Sequence, residues 1–273
     1  MKKRCLSVLL ITIMLCSVLL SGCGKEKENG EKKVIKAATT DEDMEEMLLT
    51  AKDALKEAGY DLEIQMFSGD YVAPNIATND GKIDINFFQH VPYLVEFNKN
   101  HDTNLVQIGD SIFYSSMGLF SDKIKSLDEI KEGMTIAISS DATNRTRALQ
   151  FMEAMGLIKL KKGLDVYTKL DIEENKYNLD IVEMDVAMIP KSIPDMDMVI
   201  IYPYDVELAG DDLKAIEYDP PQIGSGHGIV LVTTEENKDA EWAKIMQKTM
   251  EGEKTKDVVK KYYGDTGRHF LDY

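Results

Sequence analysis

An alternation of strand-like and helix-like segments, run through twice, constrains this chain more than any other feature. Residues 34–39 suit a buried strand, and residues 41–58 then place Met44, Met47, Leu48, Ala51, Leu55 and Ala58 at helical spacing, with Gly59 as the stop. Leu62, Ile64 and Met66 alternate with Glu63 and Gln65 as a second strand, and residues 83–88 supply a third after a short helix led by Pro74. Strand, helix, strand at this spacing implies parallel pairing in a layered α/β unit. The pattern then restarts, with strands at 134–138, 179–182 and 198–202 and a helix at 144–155 closed by Gly156. Two further strand-like runs, 117–120 and 228–232, bracket this second unit and read as crossings between two lobes. The closing residues return to helix, with Trp242, Ile245 and Met246 on one face and Val258, Val259 and Tyr262 on another, stripes that fit core packing. The expectation is an α/β protein of two lobes with a ligand cleft between them.

The N-terminus reads as an export signal and not as part of that fold. Lys2, Lys3 and Arg4 precede an apolar run over 6–20 that is short for a membrane span. The run ends in Leu20-Ser21-Gly22-Cys23, the pattern of a bacterial lipobox, in which the Cys23 thiol takes a diacylglycerol and the peptide is cut just before it. Cleavage there removes Cys5, Cys16 and three positive charges, so 251 of the 273 residues remain and the net charge moves from −16 to −19. With Cys23 lipidated no thiol is left, which excludes thiol catalysis and thiolate metal sites. Residues 23–33 then act as lipidated cysteine and solvated tether, holding a folded domain on the outer face of the cell membrane. The acidity argues against a nucleic-acid partner, since phosphate binding draws on clustered Lys and Arg.

Two turns carry the first functional signal. Thr39-Thr40-Asp41 and Ser139-Ser140-Asp141 each end a strand and open a helix, where ligands of α/β sheets sit. Helix capping explains either turn alone. Beyond the second turn, Asn144 and Arg147 fall on the expected first helical turn, and a guanidinium there can hold a carboxylate with two parallel hydrogen bonds. The run Asn86-Phe87-Phe88-Gln89-His90-Val91-Pro92-Tyr93-Leu94 also leaves a strand for a helix, so Phe88, His90 and Tyr93 are placed to box an apolar or thioether side chain. Four histidines, His90, His101, His227 and His269, are too few and too scattered for a His-rich metal site, and no cofactor is expected.

In order and spacing, Asp70-Tyr71-Val72-Ala73-Pro74-Asn75, the 86–94 run, Met117-Gly118-Leu119 and residues 141–149 resemble the methionine-binding lipoproteins of ABC importers, the MetQ/NlpA family. The resemblance extends over nearly all of the chain from Val34 onward. It implies a two-lobed periplasmic-binding-protein fold of type II, with lobe 1 over 34–119 and 221–273 and lobe 2 over 120–220, following a signal at 1–22. Such a protein closes over a small ligand by hinge motion and delivers it to a permease with its ATPase. By position, Arg147 matches the family's carboxylate-binding arginine, Asn144 a neighbouring polar position, and Tyr71, Phe88, His90 and Tyr93 the side-chain pocket. The chain departs from the family where asparagines are expected to hold the ligand's amino group: it has Tyr202-Pro203-Tyr204, and later Gly228 after His227. Either Tyr202, Tyr204 or His227 replaces those acceptors, or the ligand has no free amino group there. The ligand expected is methionine or a related amino acid or short peptide, with another small carboxylate as the alternative. An adhesin or an enzyme on the same scaffold is the remaining reading; the mature chain carries no Gly-x-Ser-x-Gly, HExxH or phosphate-loop pattern, so no catalysis is expected.

Overall fold

The chain builds its first sheet in two visits. In the computed structural model, which describes residues 33–210, 212–263 and 268–270, the first visit runs β1 (Lys33–Thr39), α1 (Glu42–Leu49), α2 (Lys52–Glu57), β2 (Tyr60–Met66), α3 (Ala73–Asn79), β3 (Ile85–His90), α4 (Val91–His101) and β4 (Leu105–Ser115). A second sheet follows from β5 (Gly118–Phe120), β6 (Thr135–Ser139), α5 (Ala142–Ala154), the β7 (Ile158–Leu160) and β8 (Ile172–Asn175) hairpin, β9 (Asp180–Met184), α6 (Ile189–Ser192), β10 (Met198–Ile201), α7 (Pro203–Leu208) and β11 (Glu217–Tyr218). After α8 (Pro221–Gly224) the chain returns through β12 (Ile229–Thr234), α9 (Glu241–Met250), α10 (Glu253–Tyr263) and β13 (Arg268–Phe270). The expected leader, Cys23 and all of the tether but Lys33 lie outside the described residues; Lys33 opens β1.

The first sheet has the order β13-β4-β12-β3-β1-β2 and the second β11-β5-β10-β6-β9. Parallel pairs β1 with β2 and β3, and β6 with β9 and β10, form the α/β centre of each sheet. Antiparallel strands complete them: β12 beside β3 and β4, β5 beside β10 and β11. The chain therefore crosses between sheets twice, from β4 to β5 and from β11 to β12. The boundary expected after residue 119 falls inside β5, whose three residues all pair in the second sheet.

Period-two side-chain placement puts a packed layer on both faces of each sheet. On β12, Ile229 and Leu231 join Met44, Met47, Phe87, Trp242 and Met246 on one side, while Val230 and Val232 meet Leu94 and Phe97 of α4 on the other. On β10, Met198 and Ile200 pack toward Leu149 and Phe151 of α5, and Val199 and Ile201 toward Ile189 and Ile193. Sheets buried on both faces read as continuous apolar runs, which is why 198–202 announces itself as a strand.

The structure differs from sequence expectation at three further places. The single helix expected over 41–58 breaks at Thr50 and Ala51, whose N–H groups reach back only three residues, to Met47 and Leu48. Thr50 fixes the break by donating to the Met47 carbonyl (2.6 Å). Helix α5 begins two residues before the expected start, because Asp141 caps it, so Arg147 falls in the second turn rather than the first. Strand β4 has no counterpart in the sequence reading: Gly109, at φ 70°, and the register shift opposite Ile229 and Leu231 interrupt its alternation.

Among the described residues no helix is long and apolar enough to cross a membrane, and no group of three or more His, Cys, Asp or Glu is placed to hold a metal.

Candidate functional site

Parallel strands of both sheets end at one cavity. Asp41 follows β1, Gln89 and His90 end β3, Asn144 sits in the first turn of α5 after β6, and Tyr202 follows β10. Met44, Tyr71, Phe88, Tyr93, Ser115 and Ile229 complete the lining. Ligands of α/β sheets bind beyond the carboxyl ends of the strands, so the cavity lies where topology places a site.

Six of the nine expected ligand-binding residues line this cavity: Tyr71, Phe88, His90, Tyr93, Asn144 and Tyr202. The three aromatic rings from the first sheet form a connected group, with Tyr71 6.0 Å from Phe88 and 6.4 Å from Tyr93, and Phe88 6.3 Å from Tyr93. Their contacts are tilted or edge-on, the arrangement ring quadrupoles favour.

Hydrogen bonds set the chemistry of the cavity wall. Tyr93 donates its backbone N–H to His90 Nδ1 (3.1 Å), so the remaining proton sits on Nε2 and points at Asn144 Oδ1 (3.2 Å). That oxygen also accepts from the Tyr202 hydroxyl (2.8 Å), and the Asn144 amide donates to Asp141 Oδ2 (3.0 Å). Burial lowers the His90 pKa to about 4, with the nearby Arg147 charge adding to the effect and the Asn144 hydrogen bond opposing it. Burial likewise raises Tyr202 to about 12 against the pull of Arg147. His90 is thus a neutral hydrogen-bond donor at pH 7. Contacts between the two halves of the molecule include His90 to Asn144, the Tyr71 hydroxyl to Asp205 (3.4 Å), and the Glu42 N–H to the Tyr204 hydroxyl (3.3 Å).

Of the other expected residues, Arg147 and His227 stand behind the wall, and Tyr204 lies outside the lining, its hydroxyl accepting the Glu42 N–H. Arg147 is fully buried; its Nε donates to Asp219 Oδ2 (2.7 Å), Nη2 to the Ser115 carbonyl (2.7 Å) and Nη1 to the Tyr202 hydroxyl (3.4 Å). Its guanidinium carbon lies 5.6 Å from the centre of the Tyr202 ring. Asp219 is as buried as its partner and also accepts the Met117 N–H (3.0 Å). The pair therefore ties α5 to both crossings of the chain. His227 packs edge-on against His90 at 4.8 Å and shares its Nδ1 proton with the Ile223 carbonyl (3.0 Å). Burial, and next the His90 and Arg147 charges, lower the His227 pKa to about 3.

Asp219 escaped the sequence reading because its partner lies 72 residues away and nothing in Tyr218-Asp219-Pro220-Pro221 points to it. Gln89 and Ser115 gave no separate signal either. Asp41 did, through the turn it shares in pattern with Asp141.

Comparison with known proteins places this geometry. The sequence pattern of the NlpA lipoprotein family matches residues 35–269. The D-methionine-binding lipoprotein MetQ of Salmonella typhi is 36% identical over 256 residues, covering 90% of this chain and 91% of that protein. Among solved structures, a periplasmic substrate-binding protein of an ABC transporter from Coxiella burnetii superposes with a TM-score of 0.79 at 32% identity, over 87% of this chain and 100% of that one. A nutrient-binding protein from Burkholderia cenocepacia bound to methionine gives the same TM-score at 30% identity, again over 87% of this chain and 100% of its own. The chain belongs to the NlpA lipoprotein family.

Proposed function

We propose that this protein is the solute receptor of an ABC importer, held to the outer face of the cell membrane through lipidated Cys23, and that it captures methionine or a related small amino acid or peptide. The observation that carries the reading is the cavity itself, walled by strand ends of two sheets that the chain joins by two crossings. In this reading the two lobes, each built on one sheet, with β5 (Gly118–Phe120) in the second, open and close about those crossings, and the closed form is handed to a permease with its ATPase. Tyr71, Phe88, His90, Tyr93, Asn144 and Tyr202 contact the ligand. Arg147 and His227 hold them from behind, and Tyr204 takes part through the Glu42 N–H. The names of the relatives support the ligand class and the transport role. The protein binds and releases its ligand without chemistry, and needs no cofactor.

Native mass spectrometry of the purified protein, followed by small-angle scattering before and after removal of whatever copurifies, tests the reading. One small molecule per chain and a more extended stripped form are expected. A protein that carries nothing, binds no amino acid or short peptide and keeps one scattering profile throughout would overturn it. The anchor is tested separately: Cys23→Ser should leave the membrane fraction.

A further inference from the structure

Four polar side chains are buried together beside β3. Asn75, Thr78, Asn86 and Gln89 all lie out of reach of solvent, and amides in an interior cost stability unless they are hydrogen-bonded. Here they close on one another. Asn75 and Gln89 face each other as a reciprocal amide pair, Asn75 Nδ2 donating to Gln89 Oε1 (2.9 Å) and Gln89 Nε2 to Asn75 Oδ1 (2.5 Å). Asn86 Nδ2 donates to the same Asn75 oxygen (3.0 Å) and to the Thr78 hydroxyl (2.8 Å), while Asn86 Oδ1 accepts from Gln89 Nε2 (2.8 Å). Asn86 and Gln89 are three residues apart, so an unbroken strand would send them to opposite faces. The register explains how they meet: β12 sets Val230 against Gln89 and Leu231 against Phe87, which leaves Phe88 as the extra residue of a β-bulge. Phe87 and Phe88 consequently pack into one apolar cluster, and Phe88 reaches the cavity.

The amide cluster spans that bulge. Asn75 belongs to α3, which begins two residues after Tyr71. Asp70 accepts the Val72 and Ala73 N–H groups there (both 2.9 Å), and the Tyr71 carbonyl accepts the Tyr93 hydroxyl (3.0 Å). Asn86 and Gln89 lie on either side of Phe88. We infer that Asn75 is a positioning residue for the aromatic wall of the cavity: by bonding both amides that flank the bulge, it holds Phe88 on β3 against Tyr71 at the head of α3. A bulge re-aims a side chain only while the extra residue is kept in place, and the reciprocal amide pair supplies that hold. Asn75 itself is not in the lining of the cavity. The inference rests on the receptor reading for what the wall grips, and adds to it the residue that sets the wall.

A double-mutant cycle on the full chain, read by isothermal titration with L-methionine, tests the coupling. Phe88→Leu is expected to weaken binding about 10-fold and Asn75→Ala about as much. The two together should cost little more than either alone, because the second change acts on a contact that the first has removed. Should Asn75→Ala fail to fold, Asn75→Asp enters the same cycle; it keeps the accepting oxygen, gives up only the bond donated to Gln89, and should weaken binding about 5-fold. A merely structural Asn75 would multiply the two losses, or lower stability with no loss of affinity, and either result overturns the inference while leaving the receptor reading intact. The ring is also read without ligand. Ring-carbon NMR signals of Phe88, identified by their disappearance in Phe88→Leu, are expected to move in the Asn75 variant, while those of Phe151 in the core of the second sheet stay. Unmoved Phe88 signals overturn the inference whatever the protein binds. Signals that move in a protein taking up no methionine support the inference and remove methionine from the receptor reading.

Discussion

The turns after β1 and β6 share a pattern, two hydroxyl residues and an aspartate, and put that aspartate to different uses. Asp141 is committed to its helix: Oδ1 accepts the Asn144 N–H (2.9 Å) and the Thr143 hydroxyl (3.0 Å), and Oδ2 the Ser139 hydroxyl (2.5 Å) and the Asn144 amide (3.0 Å). Asp41 has the same extended N-cap backbone, yet its side chain makes no cap hydrogen bond to α1, and it lines the cavity. Local sequence specifies a strand end and a helix start in both. Tertiary surroundings decide whether the carboxylate stabilises the helix or faces the site. The second turn needs a fixed Asn144, because Asn144 holds His90 and Tyr202 together across the cavity.

The contrast breaks most severely behind the second turn. Arg147→Met should leave Asp219 buried without its cation and destabilise the fold by about 3–5 kcal/mol, read from urea unfolding. A cost below about 1 kcal/mol would mean that the pair is solvated in solution. Next comes the histidine that links the first sheet to Asn144. An unfolded chain binds a proton on this imidazole near pH 6.5, whereas the folded protein does so only near 4. Between those values the unfolded state holds more protons, so stability is full above pH 6.5 and declines as the pH falls toward 4. From pH 7 to pH 5 the contribution of His90 alone amounts to about 2 kcal/mol. Urea titrations at both pH values should show wild-type protein losing more stability than His90→Gln by about that amount; equal losses would place the imidazole in contact with water.

Much of this was legible in the sequence, and the exceptions share a cause. Double-sided burial writes strands such as β10 and β12 as apolar runs, and turn chemistry marks where they end, so the alternation and Phe88, His90 and Tyr93 could be read directly, while Tyr71, Asn144 and Tyr202 came from the family resemblance. Strand β4 could not, since Gly109 and the bulge beside it erase the period that identifies a strand. Nor could the fate of Arg147. Its distance from a helix start was countable to within a turn, but its partner was set by where the returning crossing lies, and no local pattern encodes a contact made across two sheets.

Smaller effects sharpen the two turns themselves. Asp141→Ala removes a cap with four acceptor contacts and should cost about 1–2 kcal/mol, largely restored by Asp141→Asn, because Asn caps as well as Asp.

The smallest expected change in stability belongs to Asp41→Asn. The substitution keeps the shape of the side chain and alters only its charge, and no helix-capping bond depends on it, so the first helix loses no cap and unfolding free energy should shift by less than in Asp141→Ala. Binding is where the variant should differ: among the described residues that line the cavity Asp41 is the only carboxylate, whereas Asp141 reaches it only through the Asn144 amide that it holds. Unfolding curves and titrations run in parallel on Asp41→Asn and Asp141→Asn therefore separate the two roles. The expected pattern is near-native stability for both, with ligand affinity lost mainly in Asp41→Asn. If instead Asp41→Asn binds normally and unfolds early, the first turn is a cap after all, the two turns are equivalent, and the difference between them lies only in how the carboxylate is reached by its own helix.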